Sequence, residues 1–229
     1  TAKCTPSELK DILCDEGVCV EEIEGLDYAF VISGFDYLNS LESFRNGLFY
    51  VQDVSSMMVA EYAKPEHGDH VIDVCAAPGG KSTHIAELLN GSGFVEARDL
   101  TDYKVSLIEE NIKRHGLSNM GAVCMDATVF DEASVEKADI LICDLPCSGL
   151  GVLGRKKDIR YKMTEQSLDG LAELQKEILD TVHTYVRKGK KLIYSTCTMN
   201  PAENEENVRW FINRYPEFEL ETSKQMFPK

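Results

Sequence analysis

No stretch of the 229 residues approaches the eighteen or so consecutive apolar residues of a membrane-spanning helix, which excludes a spanning segment of that kind. The first residues, TAKCTPSELKDIL, carry neither the basic flank nor the apolar core of a secretory signal, so a cytoplasmic protein is expected. Paired CxxC spacings are also missing: the eight cysteines stand at 4, 14, 19, 75, 124, 143, 147 and 197, a scatter that predicts reduced thiols and no metal site. Internal repeats and low-complexity stretches are absent. Positive charge is the scarce sign, with 24 Lys and Arg against 39 Asp and Glu, a net charge of −15. Taken alone, that balance argues against a polyanionic partner.

The deficit is uneven. Residues 1–69 hold 4 basic and 14 acidic side chains, and the remaining 160 hold 20 and 25. Arg155, Lys156, Lys157, Arg160 and Lys162 cluster against the single acid Asp158. Arg187, Lys188, Lys190 and Lys191 form a second knot, which reads as a solvated loop or as favourable charge at a helix C-terminus.

At 43% hydrophobic and 28% charged, the chain has the composition of an ordinary globular protein and the length to bury a core without covalent staples. From about residue 70, short β-branched runs alternate with longer helical patterns, which predicts a parallel sheet with helices on both faces. The expected strands are His70–Cys75, Phe94–Arg98, Ala122–Met125, Ala138–Cys143 and Lys191–Tyr194. Val105, Ile108 and Ile112 recur at helical spacing, as do Leu168, Leu171, Leu174, Ile178, Val182 and Val186. A helix over Glu203–Arg214 and a strand over Glu217–Leu220 close the pattern. Residues 1–66 read as a smaller α+β unit ahead of a main domain at 67–229. In that smaller unit YAFVI and GLFYVQ alternate as strands do, and Asp53 stands as N-cap of a helix whose Met57 and Met58 fill core.

Ligands of open α/β sheets gather at the carboxyl ends of the strands, so the residues just past each strand matter most. The first strand runs into Cys75-Ala76-Ala77-Pro78-Gly79-Gly80-Lys81-Ser82, a small-residue turn that opens a helix. Such a turn lets backbone approach a ligand, and the helix start offers free N–H groups. A phosphate loop needs Gly at position 75, which is Cys, and the dinucleotide pattern GxGxxG does not occur. A nucleoside without phosphates remains. Asp99, about 20 residues beyond the glycines, is placed to bind ribose hydroxyls, which points to S-adenosylmethionine.

Asp126 and Asp144 each follow an apolar strand, where either alone reads equally well as a turn or cap residue. With Asp99 they make three carboxylates on one sheet edge, a setting that suits a cationic sulfonium and repels a triphosphate. Cys143 and Cys75 end apolar runs and read as small buried hydrophobes. Cys147 in LPCSG and Cys197 in STCTMNP lie instead in strand-end turns, so two thiols can face one cleft. Thiolate addition to carbon 6 of a cytosine makes carbon 5 enamine-like and able to take a methyl group, after which a proton and the thiol must leave. One thiol can attack and the other assist release.

DVCAAPGGKS, DLPCSGLG and STCT followed by PAENEENV together resemble the RsmB/NOP/NSUN family of RNA cytosine-5 methyltransferases, over roughly Gly47 to Glu206. The motif spacing and GLFYVQDVSS resemble most closely its members that act on bacterial 16S ribosomal RNA. The resemblance implies a Rossmann-like class I methyltransferase fold and S-adenosylmethionine as cofactor. It implies Cys197 as nucleophile, Cys147 as the residue that assists release, and Asp144 as the acid beside the cytosine and the methionine end of the cofactor. Cys75 through Lys81 match the cofactor loop, Asp99 the ribose ligand and Asp126 an acid near the adenine. Arg155, Lys156 and Arg160 are expected to contact the RNA backbone.

Two departures accompany it. Lys157 precedes Asp158 where the family usually has Pro, and the chain ends at QMFPK where the family continues into an apolar strand of DGFF type. The expectation is therefore a domain short of its last strand and of an N-terminal RNA-binding domain, with much of the RNA affinity outside it. The rival readings are an RNA-binding assembly factor without turnover, and a methyltransferase acting on tRNA, DNA or a small molecule.

Overall fold

The computed structural model describes residues 1–152 and 165–221. Helix α1 (Pro6–Asp15) begins at a capping box, in which the Thr5 side chain accepts the Glu8 N–H, Glu8 accepts the Thr5 N–H, and Pro6 fills the first helical position. An antiparallel hairpin of β1 (Cys19–Ile23) and β2 (Leu26–Ser33) follows, then the single turn α2 (Glu42–Arg45). Leu9, Leu13, Val18, Leu41, Phe44 and Phe49 bury one another in a cluster of their own.

YAFVI lies within β2, as its alternation predicts. GLFYVQ does not form a strand. Packing claims its side chains instead of pairing: Phe49 enters the cluster just described, and the Tyr50 ring lies 6.1 Å from His84 and 5.5 Å from His115. Gly47, at φ +67°, lets the chain pass α5 (Asp102–His115), where a Cβ would come within 2.0 Å of the Arg114 carbonyl. Asp53 occupies the N-cap position of α3 (Val54–Ala63), while Met57 and Met58 are half-buried at its edge and do not fill the core.

The main sheet is wholly parallel. Its strands are β3 (His70–Asp73), β4 (Phe94–Asp99), β5 (Met120–Cys124), β6 (Ala138–Asp144) and β7 (Val186–Ser195), in the spatial order β5-β4-β3-β6-β7. The parallel register needs crossover helices, and these supply two faces. On one, Val71, Val95, Ala97, Ile140 and Ile142 bury against α3, α4 (Gly80–Leu88) and α5. On the other, Ile72, Leu141 and Cys143 bury against Ile178, Leu179 and Val182 of α6 (Glu165–Val182) and Phe211 of α7 (Glu205–Arg214). Neighbours such as Ile140 and Leu141 thus part to opposite faces, as the two-residue period of a strand requires.

Three expectations need correction. The helical spacing that includes Val186 overruns: α6 stops at Val182, a 3-10 turn covers His183–Tyr185, and Val186 pairs with Ala138 in β7. The second basic knot therefore sits on a strand, where Arg187 grips both carboxylate oxygens of Asp139 at 2.9 Å and Lys190 reaches Asp139 and Asp69. Arg187 and Lys190 are thus engaged within the fold at the amino end of the sheet, and Lys191 reaches the Tyr62 and Ala63 carbonyls. Glu217–Leu220 forms no strand, because the Phe218 N–H turns back to the Tyr215 carbonyl and its ring packs on Phe211. Opposite Ala138 and Ile140 the ladder is irregular: β6 advances two residues while β7 advances from Val186 to Lys191. Among the described residues no helix is long and apolar enough to cross a membrane.

Candidate active site

The sheet order reverses direction between β3 and β6, and the crevice of such a fold opens at the carboxyl ends of those two strands. Past β3 the chain makes the turn Cys75 to Gly79. The Ala76 N–H donates to the Arg98 carbonyl at 2.8 Å and the Gly79 N–H to the Ala76 carbonyl at 2.7 Å. Gly79, at φ +105°, caps α4 in a conformation that disfavours any side chain. A Cβ on Gly80 would meet open space, so the start of α4 is accessible on that side. Pro78 is exposed, Ala76 buried and Ala77 half-buried.

Asp99 ends β4 and is buried. Its Oδ2 accepts the Ala77 N–H at 2.9 Å, while its Oδ1 accepts the Leu100 N–H and the Lys104 ammonium at 2.7 and 2.9 Å. It thereby ties the turn after β3 to the end of β4. Asp126 follows β5 and takes the Thr128 N–H and hydroxyl on Oδ1, which holds its carboxyl below the usual carboxylate range. The turn-residue role read for Asp126 is thus realised, with its other oxygen available. Leu100 and Tyr103 stand exposed nearby in sequence.

Asp144 ends β6. Lys81, the second residue of α4, donates to its Oδ2 at 2.6 Å, and the Ser195 hydroxyl, its neighbour in the β7 register, donates to Oδ1 at 2.6 Å. Asp73 is fully buried beneath them. Loss of hydration pushes its carboxyl up to about 7, against the hydrogen bond from Ser82 and with Asp144 adding repulsion. Cys75 and Cys143 are likewise raised by burial, as befits inert packing thiols.

The two remaining cysteines converge. Cys147 stands three residues past Asp144 and Cys197 two past Ser195, in the turns that follow two adjacent strands paired in register, and their Sγ atoms lie 3.2 Å apart. The Cys197 N–H also donates to Cys147 Sγ at 3.3 Å. Cys197 is exposed and Cys147 half-buried. Sharing a hydrogen bond with Cys197, and then burial, raise the Cys147 thiol well above its ordinary value. The two thiols thus share one S–H···S contact in which either sulfur can be the donor.

Gly151 holds the second turn. Its N–H donates to the Cys197 carbonyl at 3.0 Å, and a Cβ there would lie 2.8 Å from that oxygen. Gly151→Ala must move the Cys197 turn by a few tenths of an ångström. We expect alkylation of Cys197 by iodoacetamide to change and any reaction through it to slow about 10-fold or more, with an unfolding midpoint near wild type. Unaltered thiol reactivity would show that the turn absorbs the methyl group.

Arg155, Lys156 and Arg160 lie outside the described residues. Among the described residues no cluster of three potential metal ligands occurs. The sequence reading missed Ser195, the second ligand of Asp144, and Glu203, a fully buried carboxylate behind both cysteine turns. In PAENEENV, Glu203 looks like one more solvated acid, and only the closure of distant turns over it removes it from water.

A family model described as 16S rRNA methyltransferase RsmB/F matches residues 60–229. A probable ribosomal RNA small subunit methyltransferase B of Bacillus subtilis is 41% identical over 223 residues, 96% of this chain and 49% of that protein. A tRNA (cytosine(72)-C(5))-methyltransferase of Pyrococcus horikoshii is 38% identical over 77% of this chain and 44% of its own length. The crystal structure of NSun6 from Pyrococcus horikoshii with SFG is 38% identical and superimposes with a TM-score of 0.73 over 79% of this chain and 46% of that one. The crystal structure of PH0851 is 32% identical and gives a TM-score of 0.94 over 98% of this chain and 51% of that one. The chain thus spans about half the length of the curated relatives it matches.

Proposed function

Because the chain belongs to the 16S rRNA methyltransferase RsmB/F family, we propose that it carries the catalytic site of an enzyme that methylates carbon 5 of a cytosine in RNA, with S-adenosylmethionine as donor. The observation that carries this reading is the 3.2 Å approach of two cysteine sulfurs beside a carboxylate–lysine pair at the crevice of the sheet.

The residues present fit the cofactor. The start of α4 is open at Gly80, and Asp99 and Asp126 line the strand ends where ribose and adenine would lie. Asp144 offers negative charge for the methionine end, and Cys75 through Lys81 form the turn around it. The solved relative with SFG, an analogue of this cofactor, supports the same assignment. When bound, S-adenosylmethionine supplies an electrophilic methyl group.

The chain's own groups account for the rest. Cys197, the more exposed of the two sulfurs, gives up its proton to solvent and adds as thiolate to carbon 6 of the cytosine. The new S–C6 bond moves electron density to carbon 5, which takes the methyl group. Lys81 holds the Asp144 carboxylate at the strand end. After methylation the carbon 5 proton leaves to a water molecule, the C5–H electrons restore the C5=C6 double bond, the S–C6 bond breaks with its electrons returning to Cys197, and Cys147 assists that release. The thiolate must approach the ring face, so a single-stranded or extruded cytosine is the substrate.

Ribosomal RNA of the small subunit is the favoured substrate, on the names of several relatives. A tRNA methyltransferase among the relatives makes tRNA the second reading. The test is transfer of labelled methyl from S-adenosylmethionine by the full-length protein to 16S rRNA, tRNA and DNA in competition, with nucleosides analysed after digestion. Label in 5-methylcytidine from 16S rRNA is the expected result. Label in tRNA alone would move the substrate, and tight RNA binding with no label in any of them would convert the protein into a binding factor.

A further inference from the structure

Glu203 ends the 3-10 turn Pro201–Glu203 and has no solvent exposure. A buried carboxylate is costly unless every lone pair is engaged. Here four neutral donors engage it. Oε2 accepts the Ser148 N–H at 2.8 Å and the Gln175 amide at 3.1 Å, and Oε1 accepts the Ser148 hydroxyl at 2.6 Å and the Asn200 amide at 3.0 Å. Ser148 is the residue after Cys147, and Asn200 lies three past Cys197. Gln175, on α6, donates also to the Pro146 carbonyl at 2.8 Å, just before Cys147.

The bonds have a fixed direction. Because the Ser148 hydroxyl donates to Glu203, it must accept from Thr198 at 2.7 Å, and Thr198 in turn accepts the Asn200 N–H at 3.1 Å. An acceptor-only group at 203 thus orients a ring of bonds that closes through both cysteine turns. Glutamine is nearly isosteric but places an amino group against one pair of donors.

We propose that Glu203 is a positioning residue whose carboxylate clamps the Cys147 turn to the Cys197 turn and so sets the distance between the two sulfurs. This deepens the proposed reaction and rests on it for one of the two measurements below.

The test uses the full-length protein and Glu203→Gln, with the unfolding midpoint recorded first. A trivalent arsenical, phenylarsine oxide, bridges two thiols only when they lie close together, and it reports sulfur geometry without RNA or cofactor. We expect Glu203→Gln to bind it about 10-fold more weakly at a near-native midpoint. We also expect a covalent protein–RNA adduct to accumulate, because a displaced Cys147 no longer assists release. Wild-type arsenical affinity in folded Glu203→Gln would overturn the clamp. Weakened arsenical binding in a protein whose wild type neither methylates nor forms adduct would uphold the clamp and overturn the proposed reaction. Should Glu203→Gln fail to fold, Ser148→Ala, which removes one of the four donors, is expected to weaken arsenical binding about 3-fold, and unchanged binding there would overturn the clamp as well.

Discussion

Cys147→Ala, given RNA and S-adenosylmethionine, should accumulate a protein–RNA species that survives denaturing electrophoresis, whereas Cys197→Ala should form none. The asymmetry follows from exposure. The exposed sulfur of Cys197 meets the ring, while the half-buried thiol of Cys147, raised by its bond to Cys197 and by burial, acts on the departing step. Removing the nucleophile should cut methyl transfer by on the order of 10³-fold or more, because no other route activates carbon 5. Removing the releasing thiol should leave one methyl transferred per protein and then stop. Quantifying adduct and methylated cytidine per protein in both variants separates the outcomes, and the opposite pattern would exchange the two roles.

Acid should loosen the junction between the first 50 residues and the main sheet. His84 on α4 and His115 on α5 are buried on either side of Tyr50, and His84 also meets Tyr28 edge-on at 5.3 Å. Burial lowers both imidazoles from 6.5 to about 4. A group harder to protonate in the folded state than in the unfolded chain gives stability that is complete above the unfolded value. That stability is lost as pH falls toward the folded one. Each histidine is therefore expected to withdraw about 3 kcal/mol between pH 7 and pH 4. Asp73 works in the opposite sense, since its raised carboxyl relieves a burial cost as it protonates below about 7. A variant comparison isolates the histidine: in His84→Phe the difference in unfolding free energy between pH 7 and pH 4 should fall by about 3 kcal/mol relative to wild type. Parallel pH curves for the two proteins would mean that His84 titrates normally.

What the chain discloses in advance depends on how local the cause is. The central strands β3 and β6 are legible because a strand buried on both faces must be a continuous apolar run, and HVID or ADILICD can be little else. The turn CAAPGG is legible because small residues, one of them at positive φ, are needed where backbone folds tightly onto the next strand. The start of α1 is equally local, written in Thr5-Pro6-Ser7-Glu8, a capping spacing that periodicity alone passes over. The end of α6 misleads because Val186 keeps helical spacing by accident while its backbone has already joined β7. The bonds that finish the site are set by contacts across long separations: Lys81 meets Asp144 across 63 residues and Ser148 meets Glu203 across 55. No spacing rule announces a carboxylate that becomes buried only when two remote turns close over it.

The irregular stretch between β6 and β7 lies at the end of the sheet away from the cysteines. Five residues of one strand are taken up there against two of the other, and regular pairing resumes from Lys191 through Ser195. The bulge at Lys188–Gly189 accordingly stores extra chain upstream of a fixed ruler. Lengthening or shortening it changes how much chain is stored, and the rungs from Ile140–Lys191 to Asp144–Ser195 still deliver both thiols to the same height. The fold thus separates the part of β7 that tolerates change in length from the part that measures out the chemistry.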